Sequence, residues 1–589
     1  MAEENQPITG VERDRELLAK AQASGPLATI GAFIRLSGPG WLQSAITLGG
    51  GSLAGALFLG ILGGTSMLWL QLVAIVLGVV MLSAISYVTL TTGQRPFAMI
   101  NEHINPVLGW GWLVATAMAN IIWCMPQFGL CFEALENNLG PAVMGTEVQS
   151  GEGWSDRAKY GVSFVLLALA LGVLLLSMRG GVAAKAFDWF LKALIATIVL
   201  CFFGVVITLS VQGELNWSQI FAGFLPDLGQ AGHATGKLEA LIEKLSPDAQ
   251  QFWEARLVRE QRDVMIGAAA TAVGINMTFL MPYSLLQRGW DKTFRGLARF
   301  DLSTGMAIPY VLVTSCVVIA AAQAFHGQAD ENLLSNDPAA FQESPLYGGT
   351  KNNLLARVAP EITPADFDKL DGTEKTAIVT KMAELPSEEK QIAASLVRRN
   401  AFSLSKALAP LLGKQKANLV FGLGVFGMGF STMIVLMMIN GFAFREAFGK
   451  PNNQAVFLFG CLVAGVCGAL WPLIWKDDAQ MWLAIFASSF GIIFLPIAYL
   501  TFFMLMNSKQ ALGADRPEGL PRMVWNMLMV VAVLGAIAAA STSIYNKISN
   551  PNPDAAFVGK VALGLSIAYL VAVAAGFFVK PKTLSDVSN

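Results

Sequence analysis

The sequence is poor in charge. Only 14% of its 589 residues are Asp, Glu, Lys or Arg, while 54% are hydrophobic. A soluble domain carries about 25% charged residues. The scarcity excludes a soluble enzyme, a disordered tail and a disulfide scaffold. An excess of either sign is also missing: 40 basic against 41 acidic residues give a net charge of −1. Nothing therefore marks nucleic acid as a partner. Histidine is scarce, and His103, His233 and His326 fall in separate loop segments. No catalytic cluster and no bound cofactor are expected, and the chain does not read as an enzyme. The six cysteines (124, 131, 201, 316, 461 and 467) sit in apolar runs without Cys-x-x-Cys spacing. They read as small hydrophobes. There is no Gly-x-x-x-x-Gly-Lys-Ser/Thr loop, which argues against an ATP-driven pump. The first forty residues lack an apolar run, so no cleavable signal is expected and the first span itself directs insertion.

What the chain has in quantity is long apolar runs. A hydrocarbon core of ~30 Å needs about 20 apolar residues of helix. Twelve segments meet that length: 41–62, 66–90, 108–132, 160–178, 186–211, 264–286, 302–325, 418–443, 455–475, 480–505, 523–545 and 560–579, referred to below as spans 1 to 12. They are too uniformly apolar for barrel strands. The expected fold is an all-α membrane bundle. Lys and Arg concentrate in the loops on the N-terminal side, among them Arg95, Arg179, Arg288, Arg445 and Lys509. That bias puts both termini in the cytoplasm of a multi-pass cell-membrane protein. The expected division is a cytoplasmic segment 1–40, a first repeat 41–212, an extracytoplasmic loop 213–263 and a second repeat 264–505. Spans 11 and 12 with the tail occupy 506–589. Two stretches outside the membrane are long. Residues 213–263 hold a helix from Ser246 to Asp263, opened by Ser246-Pro247-Asp248. The insertion 327–416 holds further helical stretches of mixed charge, expected to form a cap.

Two spans read as interrupted. Span 1 carries Gly49-Gly50-Gly51-Ser52 at mid-membrane. Each glycine costs about 1 kcal/mol relative to Ala in a helix interior, so the run is expected to unwind. Span 6 carries Met281-Pro282-Tyr283, and Pro282 removes a backbone hydrogen bond. Either feature alone is compatible with close helix packing or a simple kink. Their matched positions, five spans apart, suggest an inverted repeat of spans 1–5 and 6–10 with a substrate site at the breaks.

These residues resemble the NRAMP group of metal transporters. Gly38-Pro39-Gly40-Trp41-Leu42-x-Ser44 is similar to the family's Gly-Pro-Gly-x-Leu-x-Ser. Met281-Pro282 resembles its Met-Pro-His. Arg299-Phe300-Asp301 through Phe325-His326 resembles its seventh span, Leu408-Ala409-Pro410-Leu411-Leu412-Gly413 its lead into the eighth, and Leu495-Pro496-Ile497-Ala498 its tenth. The resemblance covers about residues 36–510 and implies the LeuT-type inverted-repeat fold with broken helices 1 and 6. The functional residues depart from the family. Its metal-binding Asp-Pro-Gly-Asn falls on Gly49, Gly50, Gly51 and Ser52, so both side-chain ligands are missing. Met281 matches the family's metal-binding methionine, but the histidine after Met-Pro is Tyr283 and the second histidine is Arg288. The acidic residues of the third span are missing between Ala119 and Phe132, and a polar Gln of the tenth span is Phe494.

Divalent ions want oxygen ligands, usually carboxylates, and none stands in the middle of span 1, 3, 6, 8 or 10. The leading expectation is a secondary transporter for a neutral or zwitterionic solute such as an amino acid, working by alternating access. Gly49, Gly50, Gly51 and Ser52 would offer N–H groups to a carboxylate. Carbonyls near Asn276 to Leu280, at the end of the first half of span 6, would face an ammonium. Asn276, Thr278, Met281, Tyr283, Thr47 and Gln127 are the remaining polar or matched candidates. The alternative is a divalent metal ion (Mg²⁺ or Mn²⁺) carrier of the NRAMP type with a reorganised, hydrated site. A second alternative is a non-transporting receptor. H⁺ or Na⁺ coupling and facilitated diffusion remain open, and lipid is the expected surrounding partner. Asp188 and Lys192, one turn apart, are expected to pair.

Overall fold

The structure is a computed structural model and describes residues 10–140, 156–178, 181–268, 272–474, 493–549 and 553–578. Among those residues it forms helices joined by turns and loops, with no strand. Among the described residues eight helices are long and apolar enough to cross a membrane, and one bent pair taken as a single span makes nine. Span 2 is Trp69–Thr92, span 3 Pro106–Ala134, span 4 Asp156–Met178 and span 5 Gly181–Val211. Span 8 is Lys414–Ala447, span 11 Gly519–Ile548 and span 12 Pro553–Gly576. Span 7 runs from Lys292 to Phe325 and includes a π-helical stretch, Leu302–Ala307. Span 9 is the shorter Gln454–Ala469. The first half of expected span 10, 480–492, lies outside the described residues; its latter part is the helix Leu495–Asn507. Large apolar side chains lie exposed on the outward faces, among them Trp189, Leu200, Val211, Leu570 and Val571. That is the surface a bilayer requires.

Proline and short polar side chains set many helix starts. Pro39 and Pro106 stand in the first turns of their helices. Asn105 caps span 3 by accepting from the Val107 N–H. Proline at that position sacrifices an N–H that has no partner in any case.

Span 1 is two helices, Pro39–Thr47 and Gly50–Gly63, meeting at 57°. Span 6 is also divided, but not at Pro282. A helix from Pro247 to Ala268 absorbs the expected loop helix and runs on toward the bundle. A second helix, Ile275–Gln287, follows, with Gly274 extended before it and Pro282 inside it. The expectation that Pro282 marks the break is therefore corrected. The extended Gly274 is where the second helix starts, and the proline ring is accommodated within it.

Six short helices between Glu331 and Ser395 pack with the helix Lys237–Ile242 and with Pro247–Ala268 to form a cap. It has a core of its own, with Leu238, Trp253, Phe341, Phe367, Met382 and Ile392, joined by Phe58 and Leu62 from the end of span 1.

Candidate functional site

The break in span 1 is shorter than the glycine run. Only Leu48 and Gly49 leave the helix, Gly49 with φ −93° and ψ −179°. Gly50, Gly51 and Ser52 form the first turn of the second half-helix. The backbone at Gly49 is open to any residue, so space explains the glycine. A Cβ there would lie 2.7 Å from Thr432 Oγ1 and 3.1 Å from the Ile46 carbonyl. The broken end is closed by side chains. Ser52 Oγ donates back to the Thr47 carbonyl at 2.5 Å. Ser431 and Thr432 of span 8 both donate to the Ala45 carbonyl, at 3.0 and 3.1 Å. The Gly50 N–H donates to Gln127 Oε1 of span 3 at 3.2 Å.

The second half of span 6 meets this break from the other side. Thr47 Oγ1 lies 3.5 Å from the sulfur of Met277. Gln43 of span 1 points its Nε2 at the Met277 carbonyl, 3.5 Å away. Thr278 Oγ1 donates to the Ile275 carbonyl at 2.5 Å and accepts from Trp112 Nε1 of span 3 at 2.9 Å. Asn276 turns its Oδ1 onto the Met277 N–H at 2.9 Å.

Most of the expected site residues are thus placed at the two breaks, but their roles change. Asn276 to Leu280 lie in the opening turns of a helix, where N–H groups point outward, not at a helix end that offers carbonyls. The expected ammonium cradle at those residues is overturned. Met281 is wholly buried, and the sulfur that touches the span 1 break belongs to Met277, which the sequence reading missed. Tyr283 stacks between Phe279 and Phe442, with centroids 4.6 and 5.8 Å away, and its hydroxyl turns toward the Phe97 backbone, near Arg95 and Glu446. Both half-helices that begin at the breaks aim their N-terminal dipole ends into the same region. Among the described residues no group of three or more His, Cys, Asp or Glu could hold a metal ion.

A charged network lies at the end of the bundle opposite the cap. Asp301 is fully buried. It accepts from the N–H groups of Gly38 (3.2 Å) and Gly40 (2.6 Å) and from Ser37 Oγ. A Cβ on Gly40 would collide with the Asp301 carbonyl. Asp188 does not pair with Lys192 as expected. It takes the Arg288 guanidinium at 2.9 Å, and Lys192 donates to the Ser37 carbonyl at 2.9 Å. Span 5, span 6 and span 7 are so tied to the base of span 1.

A helical membrane bundle with a broken first and sixth span around a buried polar centre defines a membrane transporter. The profile of the natural resistance-associated macrophage protein-like (Nramp) family matches residues 40–356 and 376–542, and the chain belongs to that family. It is similar in fold to the manganese transporter of Eremococcus coleocola in complex with an aromatic bis-isothiourea substituted compound. The TM-score is 0.56 at 12% identity, over 94% of this chain and 96% of that one. Two mutants of that transporter match with TM-scores of 0.50 at 12% and 13% identity, each over 93% of this chain and 95% of theirs. Identity this low carries the fold alone. Among curated proteins none matches the chain in sequence.

Proposed function

We propose that the protein carries a divalent metal ion across the cell membrane by alternating access, and that the ion passes with most of its hydration shell. The observation that carries this reading is membership of the Nramp family over most of the chain; the similar solved structures are of a manganese transporter. The amino-acid expectation loses its support with the ammonium cradle. The hydrated form follows from the lining. Gln43, Thr47, Gln127 and Thr278 are neutral, and the Gly50 and Ile275 helix ends repel a bare cation. Retained water spreads the ion's charge and turns hydrogens, not a naked cation, toward oxygen atoms. Span 3 has no acid between Ala119 and Phe132, so flux runs down the ion gradient without a proton relay there. The protein is a carrier and not an enzyme, with both termini in the cytoplasm as the Lys and Arg bias directs.

The test is uptake of Mn²⁺ and Mg²⁺ into proteoliposomes containing an ion indicator. Affinity rises with the number of charged ligands, so with none in the lining half-saturation is expected near about 10⁻³ M. Ser52→Asp sets a carboxylate in the first turn of the half-helix and should tighten it by about tenfold or more. Saturable uptake of an amino acid with none of either cation would overturn the reading. Specific cation binding without net flux would turn it into a receptor.

A further inference from the structure

Span 3 is pinned at both breaks. Gln127 Oε1 holds the Gly50 N–H of span 1 at 3.2 Å, and Trp112 Nε1 holds Thr278 Oγ1 of span 6 at 2.9 Å. Thr116 and Asn120 lie between these anchors. At about 100° per residue the four side chains fall within an arc of about 80° on one helix face. Thr116 and Asn120 are both 0% exposed. Yet Thr116 Oγ1, Asn120 Oδ1 and Asn120 Nδ2 have no hydrogen-bond partner in the protein.

The contrast with other buried residues is informative. Thr47, Thr89, Thr314 and Thr501 each donate to the carbonyl four residues back. Thr116 does not. Asn440 of span 8 donates its amide to the Gly460 carbonyl at 2.8 Å. Asn120 makes no such bond. A buried amide with neither atom matched is unfavourable, and native structures keep few of them without a use. Here two such residues stand one turn apart on the single face that bridges both breaks.

We infer that Asn120 and Thr116 form the ion-recognition wall of the transporter: their oxygens accept hydrogen bonds from the water shell of a divalent cation held between the breaks. The inference rests on the divalent-cation reading and deepens it. A carboxamide and a hydroxyl are matched to the hydrogens of bound water. They do not replace that water as a carboxylate does. Such a wall selects for ions that dehydrate reluctantly, and Asn120 is its specificity-determining residue.

Proteoliposome uptake of Mn²⁺ and Mg²⁺ by wild type, Asn120→Leu, Thr116→Val and Asn120→Asp, together with thermal unfolding of each, tests it. Asn120→Leu should raise the half-saturation concentration by about tenfold or more and leave the unfolding temperature equal or higher, because an unmatched amide is removed. Thr116→Val, nearly isosteric, should raise it by about threefold. Asn120→Asp should lower it, more for Mn²⁺ than for Mg²⁺. If wild type transports and both apolar variants transport equally well, the inference falls and the transport reading stands. Loss of uptake in proportion to lost thermal stability would make both residues structural and also overturn it. If wild type transports neither cation, both readings fall together.

Discussion

The cap and the broken-span region both bury polar side chains, and they treat them in opposite ways. In the cap helices the buried Lys390, Glu389 and Gln261 are all matched. Lys390, 0% exposed, donates to the carbonyls of Leu334, Ser335 and Ala383 and faces Asn336 Oδ1. Glu389 accepts from Trp253 Nε1 at 2.7 Å and from Arg357 at 2.8 Å. Gln261 donates to the carbonyls of Gln230 and His233. Around the breaks, Gln43, Ser44, Thr116 and Asn120 keep polar atoms without partners. A matched interior serves folding. An unmatched one gives up stability for what it can bind.

The largest test of that contrast lies in the cap. Trp253 is wholly buried and holds Glu389. Trp253→Ala should destabilise the protein by about 3–5 kcal/mol, read as a lowered denaturation midpoint and faster proteolysis between residues 327 and 400. An unchanged midpoint would show that the cap core does not contribute, and the contrast with Asn120→Leu would collapse.

His326 sits where the two regions join. Its Nδ1 meets the Ile61 carbonyl at 3.0 Å, and its Nε2 accepts from the Lys237 N–H at 3.0 Å. The ring is wedged between Gly64 and Gly236. Both have positive φ, and a Cβ on either would approach it to 2.9 and 2.5 Å. Burial, opposed by the bond to Ile61 and aided by the Lys237 charge, pulls the imidazole down to about 4 from 6.5. The unfolded chain therefore takes up this proton first as pH falls below 6.5. Stability present above that pH is lost progressively and is gone below about pH 4, a loss of about 3 kcal/mol from a shift of that size. Denaturation midpoints at pH 7.5 and 4.5 check the sign. His326→Gln should lose less between those two values than wild type does. An equal loss would mean that the join carries none of the acid sensitivity.

Much of this architecture was legible in sequence. The long apolar runs, the interruption at Gly49 and the Gly38-Pro39-Gly40 motif are chemical necessities of a membrane helix with a break and a proline start. The break in span 6 was misread because proline is the loudest interruption signal. The helix accepts Pro282 and begins instead after Gly274, at the end of a run of small residues. Val273, just before Gly274, fits against span 2, where a Cβ on Gly78 would approach it to 2.3 Å. The partner of Asp188 was misread because helical spacing sees Lys192 and cannot see Arg288 a hundred residues away. Thr116 and Asn120 did carry a sequence signal, polar residues on one face of an apolar span with Gln127. Their importance rests on missing partners, which only the packed structure reveals.

The smallest effect comes from within the membrane bundle, where one polar site is fully matched. Asp301 gathers two backbone N–H groups and a hydroxyl at the start of the Pro39–Thr47 half-helix, as a carboxylate does at a helix N-terminus. In Asp301→Asn one oxygen becomes an NH₂ and faces other donors. The expected loss is about 2 kcal/mol. Its location is more telling than its size. If the two halves of span 1 are mechanically separate at Leu48 and Gly49, amide exchange should quicken over residues 38–47 and stay slow over 53–63. Such a result would separate the anchors that hold the first half-helix from the unmatched wall that faces the break. Equal quickening along both halves would mean that span 1 moves as one rod, and the 57° bend would then be a fixed shape with no hinge in it.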